Sequence, residues 1–189
     1  MTINSLIEMP ELKNGDRQSY DIELCSTKHN LIEYNGIPIE SPFDIRIIIM
    51  GTKQKFYLID TVTNCIVSIL ETDKYQIKNF KGLVQQEESI DTCNKYRKQG
   101  ITTKFYKAIL KNKLSILSDY KHYTGTKYLW LSLSKDKDIS IHIIKNNHII
   151  ESNYDLKLDK LHVWQSNNLL LLAVHKSTKI YLENLIISS

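Results

Sequence analysis

The sequence predicts an α/β domain built on one mixed sheet with a helical crossover near its middle. Two observations carry that expectation. Up to residue 90 the chain is a succession of short β-branched or apolar runs separated by turn signals, the pattern of neighbouring strands joined by tight connections. From Gly100 the apolar spacing changes to that of a helix, and strand-like and helix-like segments follow each other from there on.

The elements come in this order. Residues 1–18 are polar, carry Pro10 and Gly15, and are expected to form an N-terminal arm ahead of a single domain over 19–189. Tyr20–Leu24, Asp44–Met50, Phe56–Asp60, Cys65–Leu70 and Gly82–Ile90 read as strands, with Asn35-Gly36, Gly51 and Thr63-Asn64 as turns. Short turns between nearby runs suggest an antiparallel meander. After Gly100, the residues Ile101, Phe105, Ala108 and Ile109 fall at i, i+4, i+7 and i+8, while Lys104, Lys107 and Lys111 share the other side. That is an amphipathic helix with a basic face. Leu114–Leu117 reads as a short buried strand, and Thr126–Leu133 as a second helix with Leu129, Trp130 and Leu133 as its apolar stripe. Ile139–Ile144 and His148–Ile150 flank Asn146-Asn147 as a hairpin, Leu169–Val174 is a further strand, and Ile180–Ile187 is placed at the sheet edge. Several strands, a helix, a strand, a helix and more strands make a mixed sheet with a crossover.

Bulk properties narrow the function. A chain of 189 residues buries one real core, and a 42% hydrophobic, 24% charged composition is that of a globular protein rather than a disordered one. The net charge of +4 favours an anionic ligand such as a nucleotide cofactor. It is too mild for a dedicated nucleic-acid binder, and Lys104, Lys107 and Lys111 are more simply the solvated side of a helix. Cys25, Cys65 and Cys93 form no C-x-x-C pair, which points to reduced thiols in a cytoplasmic protein. His29, His122, His142, His148, His162 and His175 show no metal-ligand spacing, so no metal site is expected. Met1–Ser5 is not the basic-then-apolar start of a signal peptide. The apolar run Leu169–Val174 is far short of the roughly 20 residues of a membrane span.

The segment with the clearest chemistry joins the strand ending near Ile90 to the helix that opens at Gly100. The first N–H groups of a helix have no internal acceptors, and the helix dipole places partial positive charge there. Gly100 lets backbone approach a ligand without a Cβ in the way. Lys95, Arg97 and Lys98 add mobile positive charge, and the set suits a diphosphate. A surface turn that happens to carry glycine and cations has the same composition.

Tyr96-Arg97-Lys98-Gln99-Gly100-Ile101-Thr102-Thr103-Lys104-Phe105-Tyr106 resembles the coenzyme-A pyrophosphate motif of the GNAT acetyltransferase superfamily, Arg/Gln-x-x-Gly-x-Gly/Ala. The match falls on Tyr96, Arg97, Gly100 and Ile101, with Phe105-Tyr106 following. Ser118-Asp119, His122 and Leu129-Trp130-Leu131-Ser132-Leu133 resemble a branch of that superfamily frequent in phages and bacteria. By order of elements the resemblance covers roughly residues 55–145; its specific residues lie within 96–133. It implies a GNAT-like mixed, mostly antiparallel central sheet flanked by helices, with acetyl-CoA as cofactor. It also implies that Arg97, Lys98, Gln99, Gly100, Ile101, Thr102 and Thr103 hold the pyrophosphate, and that a backbone N–H within Ile90–Thr92 polarises the thioester carbonyl. Two positions depart from the motif. Thr102 stands where the last small residue belongs, and Trp130 occupies the aligned place of a general-acid tyrosine. Tyr128, Tyr120, Tyr123 or a water are the substitutes for that acid.

Acetyl transfer to an amine also needs a base for the ammonium proton. Gln85-Gln86-Glu87-Glu88 lies on the strand before the loop, and strand alternation points the two glutamates to opposite faces. Glu88 is preferred because it shares a face with Ile90; adjacent strand glutamates otherwise form a solvated edge. Asp119, at the end of the next strand, is placed to hydrogen-bond the pantetheine arm or an incoming amine, or to cap the following helix. The expected function is therefore acetyl-CoA-dependent N-acyl transfer to an amine on a protein, a small molecule or a modified nucleobase. The alternative is a GNAT-fold binding or inhibitor protein without turnover. The apolar C-terminal strands offer a homodimer contact, and neither membrane nor nucleic acid is indicated as a partner.

Overall fold

A computed structural model describes residues 37–63, 65–120, 124–166 and 168–178. The arm 1–18, the expected strands Tyr20–Leu24 and Ile180–Ile187, and His122 lie outside the described residues. In chain order the elements are β1 (Phe43–Met50), β2 (Lys53–Asp60), β3 (Cys65–Tyr75), β4 (Leu83–Thr92), helix α1 (Ile101–Lys111), β5 (Leu114–Leu117), helix α2 (Thr124–Leu133), β6 (Ile139–Lys145), β7 (His148–Glu151) and β8 (Leu170–His175). The strands are ordered β1-β2-β3-β4-β5-β8-β6-β7 in one mixed, mostly antiparallel sheet. This is the α/β class read from the sequence.

Several strand ends differ by a residue, and four boundaries differ by more. β2 starts at Lys53 rather than Phe56. β3 runs to Tyr75 rather than ending at Leu70. Polar Glu71 and Asp73 mask that extension, and Glu71 is held there by an ion pair with Lys55 of β2. β4 continues past Ile90 to Thr92, and the Cys93 amide then donates to Val67 O at 2.9 Å. α2 opens at Thr124, two residues ahead of its expected start.

The described residues fall into two compact units, one of residues up to 72 together with 89–108 and one of 73–88 together with those from 109 on. In the first, β1 and β2 are antiparallel, Phe43 opposite Asp60 and Met50 opposite Lys53. Their turn uses Gly51 at φ +64°, a left-handed conformation that glycine takes without a Cβ penalty. Ile48, Tyr57, Ile59, Ile66 and Ile69 form its apolar cluster. Tyr57 and Ile59, two apart on β2, share a face by strand alternation, while Ile48 comes from β1 and Ile66 and Ile69 from β3.

In the second unit, Leu83–Gln86 of β4 lies parallel to Leu114–Leu117 of β5. Parallel neighbours need a crossover connection, and α1 supplies it. β8 is antiparallel to both β5 and β6. β6 and β7 form a hairpin through Asn146 and Asn147, both left-handed (φ 48° and 65°). Such a pair matches the twist of the flanking strands. Ile77, Phe80, Val84, Leu117, Ile144, Leu170, Leu172 and Val174 make the core cluster of this unit.

Candidate anion-binding loop

At the end of β4 the chain enters a single 3-10 turn, Asn94–Tyr96. Tyr96 N donates to Cys93 O at 2.9 Å and Arg97 N to Asn94 O at 3.2 Å. Two residues then adopt left-handed backbone, Lys98 at φ 62° and Gly100 at φ 73°. For lysine this conformation carries a steric cost of roughly 1–2 kcal/mol, and strain of that kind gathers at ligand-binding turns. Lys104 N closes the helical ladder of α1 onto Gly100 O at 3.1 Å. The amides of Ile101, Thr102 and Thr103 therefore precede the ladder, at the positive end of the helix dipole. Among the described residues, and apart from its chain neighbours, no atom lies within 4 Å of where a Cβ on Gly100 would stand. Its φ favours glycine at that position, and the space beside it is open among the described residues.

The side chains of the loop are tied inward to different degrees. Arg97 Nε donates to Thr92 O at 2.8 Å, so its guanidinium is tethered to the end of β4 and is not the mobile charge expected from sequence. Gln99 Nε2 donates to Lys95 O at 2.7 Å, and the Lys95 ammonium lies 5.2 Å from the Tyr96 ring centroid. Lys104 Nζ pairs with Glu40 Oε2 at 3.3 Å, both exposed. Lys98 is exposed at the turn. Thr102 does not direct its hydroxyl outward alone: Thr102 Oγ1 lies 2.9 Å from Thr92 Oγ1.

A second anchor comes from β2. The Tyr96 hydroxyl donates to Asp60 Oδ2 at 2.7 Å. Asp60 Oδ1 accepts from the Val62 and Thr63 amides at 2.9 and 3.2 Å. Asp60 is 7% exposed, and the Tyr96 hydrogen bond, opposed by burial and helped by the turn amides, holds its carboxyl below the ordinary carboxylate value. Burial first, and the bond to Asp60 second, push the Tyr96 phenol up. Asp60 was read from sequence only as a strand end. An aspartate ahead of Val62-Thr63 is a legible turn signal, whereas its bond to a residue 36 positions away is not.

Of the catalytic candidates, Glu88 is exposed and Glu87 is 4% exposed, the opposite faces that strand alternation requires. Ile90 and Thr92, toward the strand end, are half-buried. Asp119 follows the fully buried Ser118, and its Oδ1 accepts from the Tyr120 amide at 2.6 Å. Thr92 and Arg97–Thr103 thus form one continuous group in the first unit, while Glu88 and Asp119 belong to the second. Trp130 is 0% exposed, and its indole Nε1 has no hydrogen-bond partner among the described residues. Tyr128 and Tyr120 are both exposed. Among the described residues no group of three or more His, Cys, Asp or Glu side chains is arranged to hold a metal, and no helix is long and apolar enough to cross a membrane.

The sequence matches no protein-family profile and no curated protein. Among solved structures, the chain is similar to a GNAT-family protein from Bacteroides thetaiotaomicron, at 7% identity and a TM-score of 0.39, over 67% of this chain and 63% of that one. It is also similar to the ribosomal-protein-S5-alanine acetyltransferase from Vibrio fischeri, at 13% identity and a TM-score of 0.35, over 70% of this chain and 64% of that one. The chain therefore spans less than two thirds of each of these two structures. Likenesses this remote leave the functional reading to the residues of the loop.

Proposed function

We propose that the chain is an acetyl-CoA-dependent N-acyltransferase of the GNAT type that acetylates an amine. The observation that carries this reading is the turn Arg97–Gly100. Left-handed Lys98 and Gly100 lead directly into α1, and the amides of Ile101, Thr102 and Thr103 precede its hydrogen-bond ladder, which starts at Lys104 N to Gly100 O. A diphosphate matches those donors in charge and in number of acceptors, and Lys95, Lys98 and the tethered Arg97 supplement them.

Acetyl-CoA supplies the activated acyl group as a thioester. The residues of this chain supply orientation, polarisation and proton movement. In this reading Arg97–Thr103 hold the pyrophosphate, and a backbone N–H within Ile90–Thr92 polarises the carbonyl. Glu88, exposed on β4, takes the ammonium proton directly or through water, and Asp119 hydrogen-bonds the pantetheine arm or the amine. The acceptor is an amine on a protein, a small molecule or a modified nucleobase. The free thiols of Cys65 and Cys93 fit a cytoplasmic setting.

One observation favours a second reading, a binding or inhibitor protein without turnover. Trp130, at the place that the resemblance gives to a general acid, is fully buried, and an indole N–H is no acid at neutral pH. Calorimetric titration with acetyl-CoA separates the two. The wild type is expected to bind, and Gly100→Arg, which forces a side chain into φ 73° and into the open space, is expected to bind at least about tenfold more weakly. Circular dichroism checks that the variant is folded. A wild type that does not bind sinks the acyltransferase reading, whereas binding without acetylation of any member of an amine panel selects the second one.

A further inference from the structure

We infer that Ser68, Thr92 and Thr102 form a one-way chain of hydroxyl hydrogen bonds that sets the first turn of α1 against the end of β4, so that the Thr102 hydroxyl positions the anion loop while only its backbone amide faces the anion. The inference rests on the reading of that loop as a diphosphate site.

The direction of the chain follows from counting protons. Ser68 Oγ lies 2.7 Å from Asp91 O. A carbonyl oxygen only accepts, so the one hydroxyl proton of Ser68 is engaged there. Ser68 Oγ also lies 2.9 Å from Thr92 Oγ1. With the serine proton engaged, Thr92 must be the donor. Thr92 Oγ1 in turn lies 2.9 Å from Thr102 Oγ1, and with the Thr92 proton engaged, Thr102 must be the donor. The bonds therefore run Thr102 to Thr92 to Ser68 to the Asp91 carbonyl. Ser68 at the inner end is buried; Thr92 and Thr102 are half-buried.

Two consequences follow for the loop. Thr102 has no proton left to give a phosphate oxygen, and the lone pairs of its hydroxyl gain nothing from an ionised phosphate. The donors for the anion are then the backbone amides of the first helical turn, with the lysines. Thr92 also becomes the common anchor of both sides of the loop, because its carbonyl accepts from Arg97 Nε while its hydroxyl accepts from Thr102. A threonine in the first turn, with its hydroxyl turned to the strand end, holds the helix start in place before the ligand arrives. Binding then costs less ordering of the loop.

The test is calorimetric titration of CoA into wild type, Thr102→Ser and Thr102→Val. Serine keeps the inward donor; valine keeps the shape and removes it. Thr102→Ser should bind within about twofold of wild type and Thr102→Val about five- to tenfold more weakly, the effect of one hydrogen bond. Rescue by serine separates loss of the donor from loss of side-chain bulk. Thr92→Val, which removes the inward acceptor, should weaken binding as Thr102→Val does. Thr92→Val binding as tightly as wild type would mean that the Thr102 hydroxyl serves the anion directly and would overturn the inference. Thr102→Ala, read against serine in the same way, replaces valine if the valine variant does not fold. Valine binding as tightly as wild type, or serine binding as weakly as valine, overturns the inference and leaves the diphosphate reading standing. A wild type that does not bind CoA overturns both.

Discussion

His142 shows how far a single residue can depart from what its position in the sequence suggests. It sits on β6 opposite Leu172 of β8, is 2% exposed, and neither ring nitrogen has a hydrogen-bond partner among the described residues. Burial holds its pKa below the ordinary 6.5, because a charged imidazole in an apolar setting lacks solvation. Below about pH 6.5 the unfolded chain therefore takes up a proton more readily than the folded ring does. This contribution to stability is complete above that pH and is lost as the pH falls below it. Urea denaturation at pH 7.5 and 5.5 should show a loss of stability in wild type that is smaller in His142→Leu. An unchanged pH dependence in the variant would remove His142 as its source. From sequence this histidine is indistinguishable from exposed His148, since the difference lies in the strand laid beside it. Glu87 and Glu88 are the opposite case. Period-two alternation alone separates the buried one from the exposed one.

At the scale of elements, helix α1 was legible almost completely. Ile101, Phe105, Ala108 and Ile109 are all buried, and Lys104 and Lys111 are exposed, because a 3.6-residue period projects one face toward the core. Lys107, expected on the solvated side, is half-buried, and Tyr106 and Leu110 widen the buried face beyond the expected stripe. The loop before it was legible in composition and not in anchorage. Its tie to β2, the Tyr96–Asp60 hydrogen bond, joins residues that no local rule connects. Breaking that bond with Tyr96→Phe should cost about 1–2 kcal/mol at pH 7, the usual range when one partner of a charged hydrogen bond is removed. Asp60 has a folded pKa below its ordinary 3.8, so its contribution is present above pH 3.8 and is lost as the pH falls through the lower folded value. The gap in urea midpoint between variant and wild type should therefore be widest near neutrality and close on acidification below pH 3.8. A gap that stays constant into that acid range would mean that Tyr96 acts through packing alone.

For the molecule as a whole, the relevant field is set by a net charge of +4 and by lysines gathered around one turn. If the loop holds a diphosphate, CoA affinity should fall about tenfold as salt is raised from about 50 to about 500 mM, because exposed charges are screened over that range. Titrations across a salt series check this, and an affinity indifferent to salt would place the binding elsewhere. The sequence by itself determined the class of fold, the order of its elements, the buried face of α1, the hairpin turn at Asn146-Asn147 and the glycine on which the loop pivots. Each of these is dictated by local periodicity or by backbone sterics, which act within a few residues. Only the tertiary structure decided that Arg97 is tethered to Thr92, that Tyr96 is held by Asp60, that the hydroxyl of Thr102 meets that of Thr92, and that His142 is buried without a partner among the described residues. Hydrogen bonds and burial join whatever the sheet order places side by side, and that order pairs β5 with β8 and β8 with β6 across long stretches of chain.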